Sequence, residues 1–155
     1  VVSNADFSGE LGVEFRGRLA GRVAIEFVAI PSLSRRVKRF PSDLSGLPML
    51  LMAPENPERK EVDLFLCRHK IQVSVEAEIE DFDLLHLLAR RGQGIAALDS
   101  LTARRDVAQG RLVKLHSAPL GIKEYIWLIC GRHPKPNPLL REVMAKLMEG
   151  FVIAV

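Results

Sequence analysis

The chain has 155 residues, of which 48% are apolar and 26% charged, with a net charge of +3. That is enough for one average domain or two small lobes. No apolar run approaches the ~18 residues of a membrane-spanning helix, and the mild basicity does not by itself imply a nucleic-acid partner, since such binders concentrate charge on one face. Cys67 and Cys130 have no metal-ligand spacing, so they read as buried, reduced thiols of a cytoplasmic protein.

Val1-Val2-Ser3-Asn4 lacks an initiator Met and reads as a strand already under way, so a fragment of something longer is expected. Val1 to Ser3 is the strand, and Asn4-Ala5-Asp6 is its exit loop. Leu11 to Phe15 and Arg22 to Ala29 both alternate, which predicts two half-exposed strands with a turn at Gly17 and Gly21. Arg35, Arg36, Lys38 and Arg39 form the densest basic run; no aromatic interleaves them, and a solvated loop is the reading, with a phosphate contact as the alternative. Pro41 to Pro48 predicts a turn of helix between prolines. Met49 to Met52 is a buried strand, and Ala53-Pro54-Glu55-Asn56-Pro57 the loop off its end. Val62, Leu64, Phe65 and Leu66 predict a helix over Glu58 to His69. Ile71, Val73, Val75 and Ala77 alternate as a strand.

The stretch Glu78 to Asp99 is the densest in local signals. Asp81 is placed to cap a helix carrying Phe82, Leu84, Leu85, Leu88 and Ala89 at helical spacing. Arg90 and Arg91 suit the negative end of its dipole, and Gly92 its left-handed stop. Gly94 to Leu98 is a short buried strand, and Asp99 caps the next helix, from about Ser100 to Gln109. Leu112, Val113 and Leu115 give another short strand, and Glu124 to Cys130 the strongest one. Asn137 and Pro138 open a last helix with Leu139, Leu140, Val143, Met144 and Leu147 on one side. The order β-α-β-α-β-α-β from Pro48 to Leu115 predicts a parallel sheet with helices on its faces.

Catalytic signals are weak. Gly92-Gln93-Gly94 ends a helix and opens a strand, the reverse of a dinucleotide fingerprint. His69, His86, His116 and His133 lack helical metal-pair spacing, and His86 reads as a partly buried packing residue. The acids Glu78, Glu80, Asp81 and Asp83 read as capping and surface groups. No nucleophile elbow or acid-base set points to an enzyme, and neither a metal nor a cofactor is expected. Asn4, Asp6, Glu55, Asn56, Asp81 and Asp99 all fall at strand exits, which line one edge of an open α/β sheet. Helix N-termini there would favour an anion and the acids a cation; the sequence leaves both open.

Three segments carry a family resemblance. Phe40-Pro41-Ser42-Asp43-Leu44-Ser45-Gly46-Leu47-Pro48-Met49-Leu50-Leu51 is similar to the entry motif of the effector-binding domain of LysR-type transcriptional regulators. Ala77 to Leu85 and Ala89 to Asp99 resemble the family's next two segments, with Asp99 where proline is usual. The order holds through Lys123 to Leu128 and the Pro138-Leu139-Leu140 helix. Leu11 to Leu19, Glu78 to Asp81 and Lys123-Glu124-Tyr125 look most like the NhaR branch, activators of sodium–proton antiporter genes.

The resemblance implies an α/β fold of the type II periplasmic-binding-protein kind, with two Rossmann-like lobes of which the first is incomplete. Residues 1–22 and 118–155 would be parts of lobe I, and 23–117 lobe II. It further implies a small-molecule or ion effector, DNA contact only through a winged helix-turn-helix absent from this chain, and homo-oligomers: dimers, and tetramers at full length. No membrane partner is implied. The effector residues carried over are Ser3, Asn4 and Ala5 on lobe I, and Met52, Ala53, Pro54, Asp81, Ala97 and Asp99 on lobe II. The alternatives are a solute-binding protein of the same fold and, less favoured, a small α/β enzyme.

Overall fold

The structure, a computed structural model, describes residues 2–3, 15–131, 139 and 142–147. The expected exit loop at Asn4 to Asp6, the strand residues 11–14, His133 and the Asn137–Pro138 cap lie outside the described residues. The chain forms two compact units, residues 1–23 with 124–155, and residues 24–123.

In the first unit, β1 (Val2–Ser3) pairs antiparallel with the strand Lys123–Gly131, with Val2 opposite Leu128 and Ser3 opposite Trp127. β2 (Phe15–Ala29) begins in this unit and ends in the other. It is one continuous strand, which corrects the expected turn at Gly17 and Gly21. Among the described residues the left-handed glycines are Gly46, Gly92, Gly110 and Gly121, and neither Gly17 nor Gly21 turns the chain. Arg22 lies over the Tyr125 ring at 5.6 Å, a cation–π contact at the surface of the unit. Residues 142–147 are helical, and Met144 meets Cys130 sulfur to sulfur at 3.5 Å.

The second unit is built on a sheet with two buried faces. After β2 come α1 (Pro31–Ser34), a 3-10 turn (Ser42–Leu44), β3 (Pro48–Met52) and α2 (Pro57–Arg68). Then follow β4 (Ser74–Ile79), α3 (Phe82–Arg90), β5 (Ile95–Asp99), α4 (Ser100–Ala108) and β6 (Val113–Lys114). The long strand Lys123–Gly131 is β7. β3 lies between β4 and β5, parallel to both, whereas β2 pairs antiparallel with β5 and with β6. The sheet is therefore mixed. The parallel run expected from Pro48 to Leu115 holds for β3, β4 and β5, but β6 is separated from it by β2.

Period-two alternation sorts the side chains onto the two faces. Ile25, Phe27, Met49, Leu51, Ile95 and Ala97 join Val62, Phe65 and Leu66 of α2 in one core. Val28, Leu50, Met52, Ile79, Ala96 and Leu98 join Leu85 and Ala89 of α3 and Ala103 of α4 in the other. Burial of β3 and β5 on both faces explains why their sequences are continuously apolar rather than alternating. β4 is an edge strand; its Val75 is 46% exposed, and the strand begins at Ser74 rather than Ile71. Ile71 instead closes α2. Its N–H donates to the Leu66 carbonyl while Lys70 takes a left-handed φ of 56°. Cys67 is exposed on α2 and Cys130 half-buried, correcting the expectation that both thiols are buried.

Gly92 and Gly94 mark the helix-to-strand joint. Gly92 ends α3 with a φ of 76°. A Cβ on Gly94 would lie 3.1 Å from the Pro48 carbonyl oxygen and 3.0 Å from Leu50 Cγ, so this position keeps β5 close against β3.

Candidate functional site

Because β3, β4 and β5 run parallel, their C-terminal ends share one edge of the second unit. Met52 pairs with Ile79, and Leu50 with Ala96, so the exits at Ala53, Glu80 and Asp99 stand side by side. Each exit starts a helix, and each helix is capped by its own residue. Asn56 Oδ1 accepts from the Glu58 N–H at 2.9 Å. Asp81 Oδ1 accepts from Leu84 at 2.7 Å, and Asp99 Oδ1 from Leu101 and Thr102 at 3.0 and 2.9 Å. These caps take up amide donors that a helix N-terminus would otherwise offer an anion. They leave carboxylates at the edge. Asp81 is exposed, as are Glu55 and Glu80, while Asp99 is 9% exposed beside its pairing partner Ile25.

Of the residues expected to meet an effector, six lie in this unit and gather on or just behind the edge. Ala53 and Pro54 are on the loop, with the Ala53 N–H donating to the Ile79 carbonyl at 2.9 Å. Met52 and Ala97 are 3% exposed, and their side chains belong to opposite cores. Ser3, in the first unit, is half-buried in β1; Asn4 and Ala5 lie outside the described residues.

Two charged residues that the sequence did not single out organise the surroundings. Arg59, in the first turn of α2, is only 12% exposed at its side chain. Its Nη1 donates to the Met52 carbonyl and to Glu78 Oε1, each at 2.8 Å, and its Nε to Asp63 at 2.8 Å. Burial works against its charge, but the carboxylates of Asp63 and Glu78 outweigh that and hold its pKa above the usual arginine range. Asp106, on α4, is 2% exposed. Its carboxylate accepts from His86 Nε2 at 2.5 Å and from Arg111 Nε, with Arg90 Nε 3.5 Å away. Burial alone would raise the Asp106 pKa; the hydrogen bonds from Arg111 and His86 and the charges of Arg111 and Arg90 overcome it and leave the carboxyl below its usual range. His86, expected as a partly buried packing residue, is half-buried and, with Arg90, links α3 to α4. Nothing in sequence spacing ties His86 to a residue twenty positions on.

Among the described residues no group of His, Cys, Asp and Glu is arranged to hold a metal ion, and no helix is long and apolar enough to cross a membrane. The basic run is a solvated loop. Its Lys38 and Arg39 backbone N–H groups donate to Asp43 Oδ2 at 3.0 and 2.8 Å, which together with the Arg39 charge lowers the Asp43 pKa.

A mixed sheet with helices on both faces and strand exits aligned on one edge is the fold of the type II periplasmic-binding-protein kind. A family model for the LysR substrate binding domain matches residues 13–151, and the chain belongs to that family. The regulatory domain of HypT from Salmonella typhimurium in its apo-form superposes with a TM-score of 0.67 at 19% identity, covering 97% of this chain and 71% of that one. Vibrio fischeri DarR in complex with DNA gives 0.69 at 17% identity, covering 93% of this chain and 48% of that one. The effector domain of AmpR of Pseudomonas aeruginosa gives 0.71 at 13%, covering 97% and 78%. At such identities the likeness is one of fold. The chain spans 66% of a variant of the HypT regulatory domain and about half of DarR. Among curated proteins none matches the chain.

Proposed function

We propose that this chain is the effector-sensing part of a LysR-type transcriptional activator of the NhaR-like branch, and that its effector is a small cation. Residues 24–123 would serve as the second lobe, with Met52, Ala53, Pro54, Asp81, Ala97 and Asp99 as its wall of the site. Ser3, Asn4 and Ala5 would come from the first lobe. The observation that supports the cationic reading is the state of the three helix N-termini: Asn56, Asp81 and Asp99 each cap one by taking up one or two of its amides, and two of these three caps are carboxylates at the edge. DNA would be reached through a winged helix-turn-helix of the longer cytoplasmic protein, acting as a homodimer or tetramer. Effector binding would bias two arrangements of the regulator by its differential affinity for them.

Asn caps a helix as well as Asp does, so Asp81→Asn and Asp99→Asn remove charge and keep the cap. The test is a thermal-shift and titration series of the full-length regulator with sodium, lithium, ammonium and putrescine at constant ionic strength. The reading requires that at least one cation binds and that each variant weakens it about tenfold or more, as loss of a nearby opposite charge would. Binding of phosphate or a carboxylate instead, tightened by the same variants, would overturn it.

A further inference from the structure

We propose that Arg59 is a positioning residue of the effector site, fixing the β3 exit through the Met52 carbonyl; this rests on the reading of that edge as the site. Three observations carry it. The guanidinium bridges three elements at once: the last residue of β3 through the Met52 carbonyl, β4 through Glu78, and α2 through Asp63. It does so from a largely buried position, 12% exposed, where such hydrogen bonds are stronger than at the open surface. The carbonyl it holds immediately precedes Ala53, whose N–H crosses to Ile79 and whose carbonyl accepts from Asn56 at 3.0 Å. Asn56 in turn caps α2, the helix that carries Arg59. The exit loop is thus a closed circuit of hydrogen bonds with the guanidinium at its centre.

The planar fork is needed for this. A lysine ammonium keeps the charge but cannot reproduce donation from Nε to one carboxylate and from Nη1 to a carbonyl and a second carboxylate. Glu78→Gln is the complementary change: its amide oxygen still accepts from Arg59, so the Met52 contact survives while one negative charge goes.

The experiment compares wild type, Arg59→Met, Arg59→Lys and Glu78→Gln in the full-length regulator by residue-resolved amide exchange, with sodium and putrescine titrations alongside. In Arg59→Met and Arg59→Lys, the Ala53 and Asn56 amides should exchange about tenfold faster or more, as loss of a charge-assisted hydrogen bond allows. The Ile71 and Ser74 amides, bonded to Leu66 and Leu47 at the opposite end of β3, should keep wild-type rates. Glu78→Gln should leave all four close to wild type. Unchanged exchange at Ala53 and Asn56, or acceleration of all four amides by the same factor, would overturn the proposal and leave Arg59 with general stability alone. If Arg59→Met does not fold, Arg59→Lys carries the comparison. Where neither cation binds wild type, the exchange pattern still decides the role of Arg59, while the full sodium, lithium, ammonium and putrescine series decides the cationic reading. Where a cation binds, both Arg59 variants should weaken it by more than Glu78→Gln does; equal or smaller losses would count against positioning.

Discussion

Replacing Asp106 by Asn probes the most heavily partnered buried charge among the described residues. The carboxylate is 2% exposed and is reached from α3 by His86 and Arg90 and from the loop after α4 by Arg111. Removing one member of a buried ion pair commonly costs ~3–5 kcal/mol, because its partner is left charged and dry. Here the partners are not equally trapped. Arg90 and Arg111 are 41% and 42% exposed at their side chains and can turn to water, whereas His86 is 20% exposed. The backbone carbonyl of Asp106 keeps its own bonds to the Arg111 and Leu112 N–H groups. The expected loss is therefore below that range, about 2–3 kcal/mol, read by urea unfolding with an unchanged slope. The pH dependence gives a second check. The folded Asp106 carboxyl is held below the usual aspartate range, so its contribution is complete above the unfolded value and is lost as pH falls through the lower folded one. The gap between wild type and Asp106→Asn should shrink as pH falls below about 4. A loss under ~0.5 kcal/mol at neutral pH, the scale of ordinary surface substitutions, would refute the idea that this cluster holds α3 to α4.

Other substitutions test single features of the second unit. Asn56→Ala removes the cap of α2 and should cost ~1 kcal/mol in urea unfolding. Lys70→Gly relieves a left-handed φ of 56° and should stabilise the chain by up to ~1 kcal/mol, visible as a higher urea midpoint. Gly94→Val would push a branched side chain against the Pro48 carbonyl and Leu50, and should cost ~2 kcal/mol or more by the same assay. Phe27→Ala opens a cavity where Phe27 meets Phe40 and Phe65 at 5.9 and 5.5 Å, and should cost ~3–5 kcal/mol by calorimetry or urea.

Much of the second unit was legible because its signals are local. Asp81 and Asp99 were recognised as caps from their place before apolar helical runs, and both are capping. The apolar stretches at Met49 to Met52 and Gly94 to Leu98 read as buried strands and form β3 and β5. What failed depended on contacts that local alternation does not reveal. Gly17 and Gly21 looked like a turn because glycine permits one, but β2 continues through both as an extended strand. Ile71 looked like the first residue of a strand because it kept the alternation with Val73; closing α2 against Leu66 takes it instead. The antiparallel place of β2 beside β5 has no signature in a β-α-β order. Arg59 and Asp106 were missed for a related reason. Each is an ordinary charged residue on a helix until the fold brings Met52, Glu78 and Asp63 to one, and His86, Arg90 and Arg111 to the other. The alignment of the strand exits was readable from their order alone, and the proposed preference for a cation rests on the caps seen in the fold.

The central claim is that the β3, β4 and β5 exits take a small cation. Its most direct test is amide chemical-shift mapping of the full-length regulator during sodium, ammonium and putrescine titrations, with choline chloride holding ionic strength constant. The account predicts saturable shifts in at least one series, concentrated at residues 53–56, 80–84 and 99–102 and lost in Asp81→Asn and Asp99→Asn. Saturable shifts centred elsewhere, or shifts at this edge produced by phosphate and not by any cation, would contradict it.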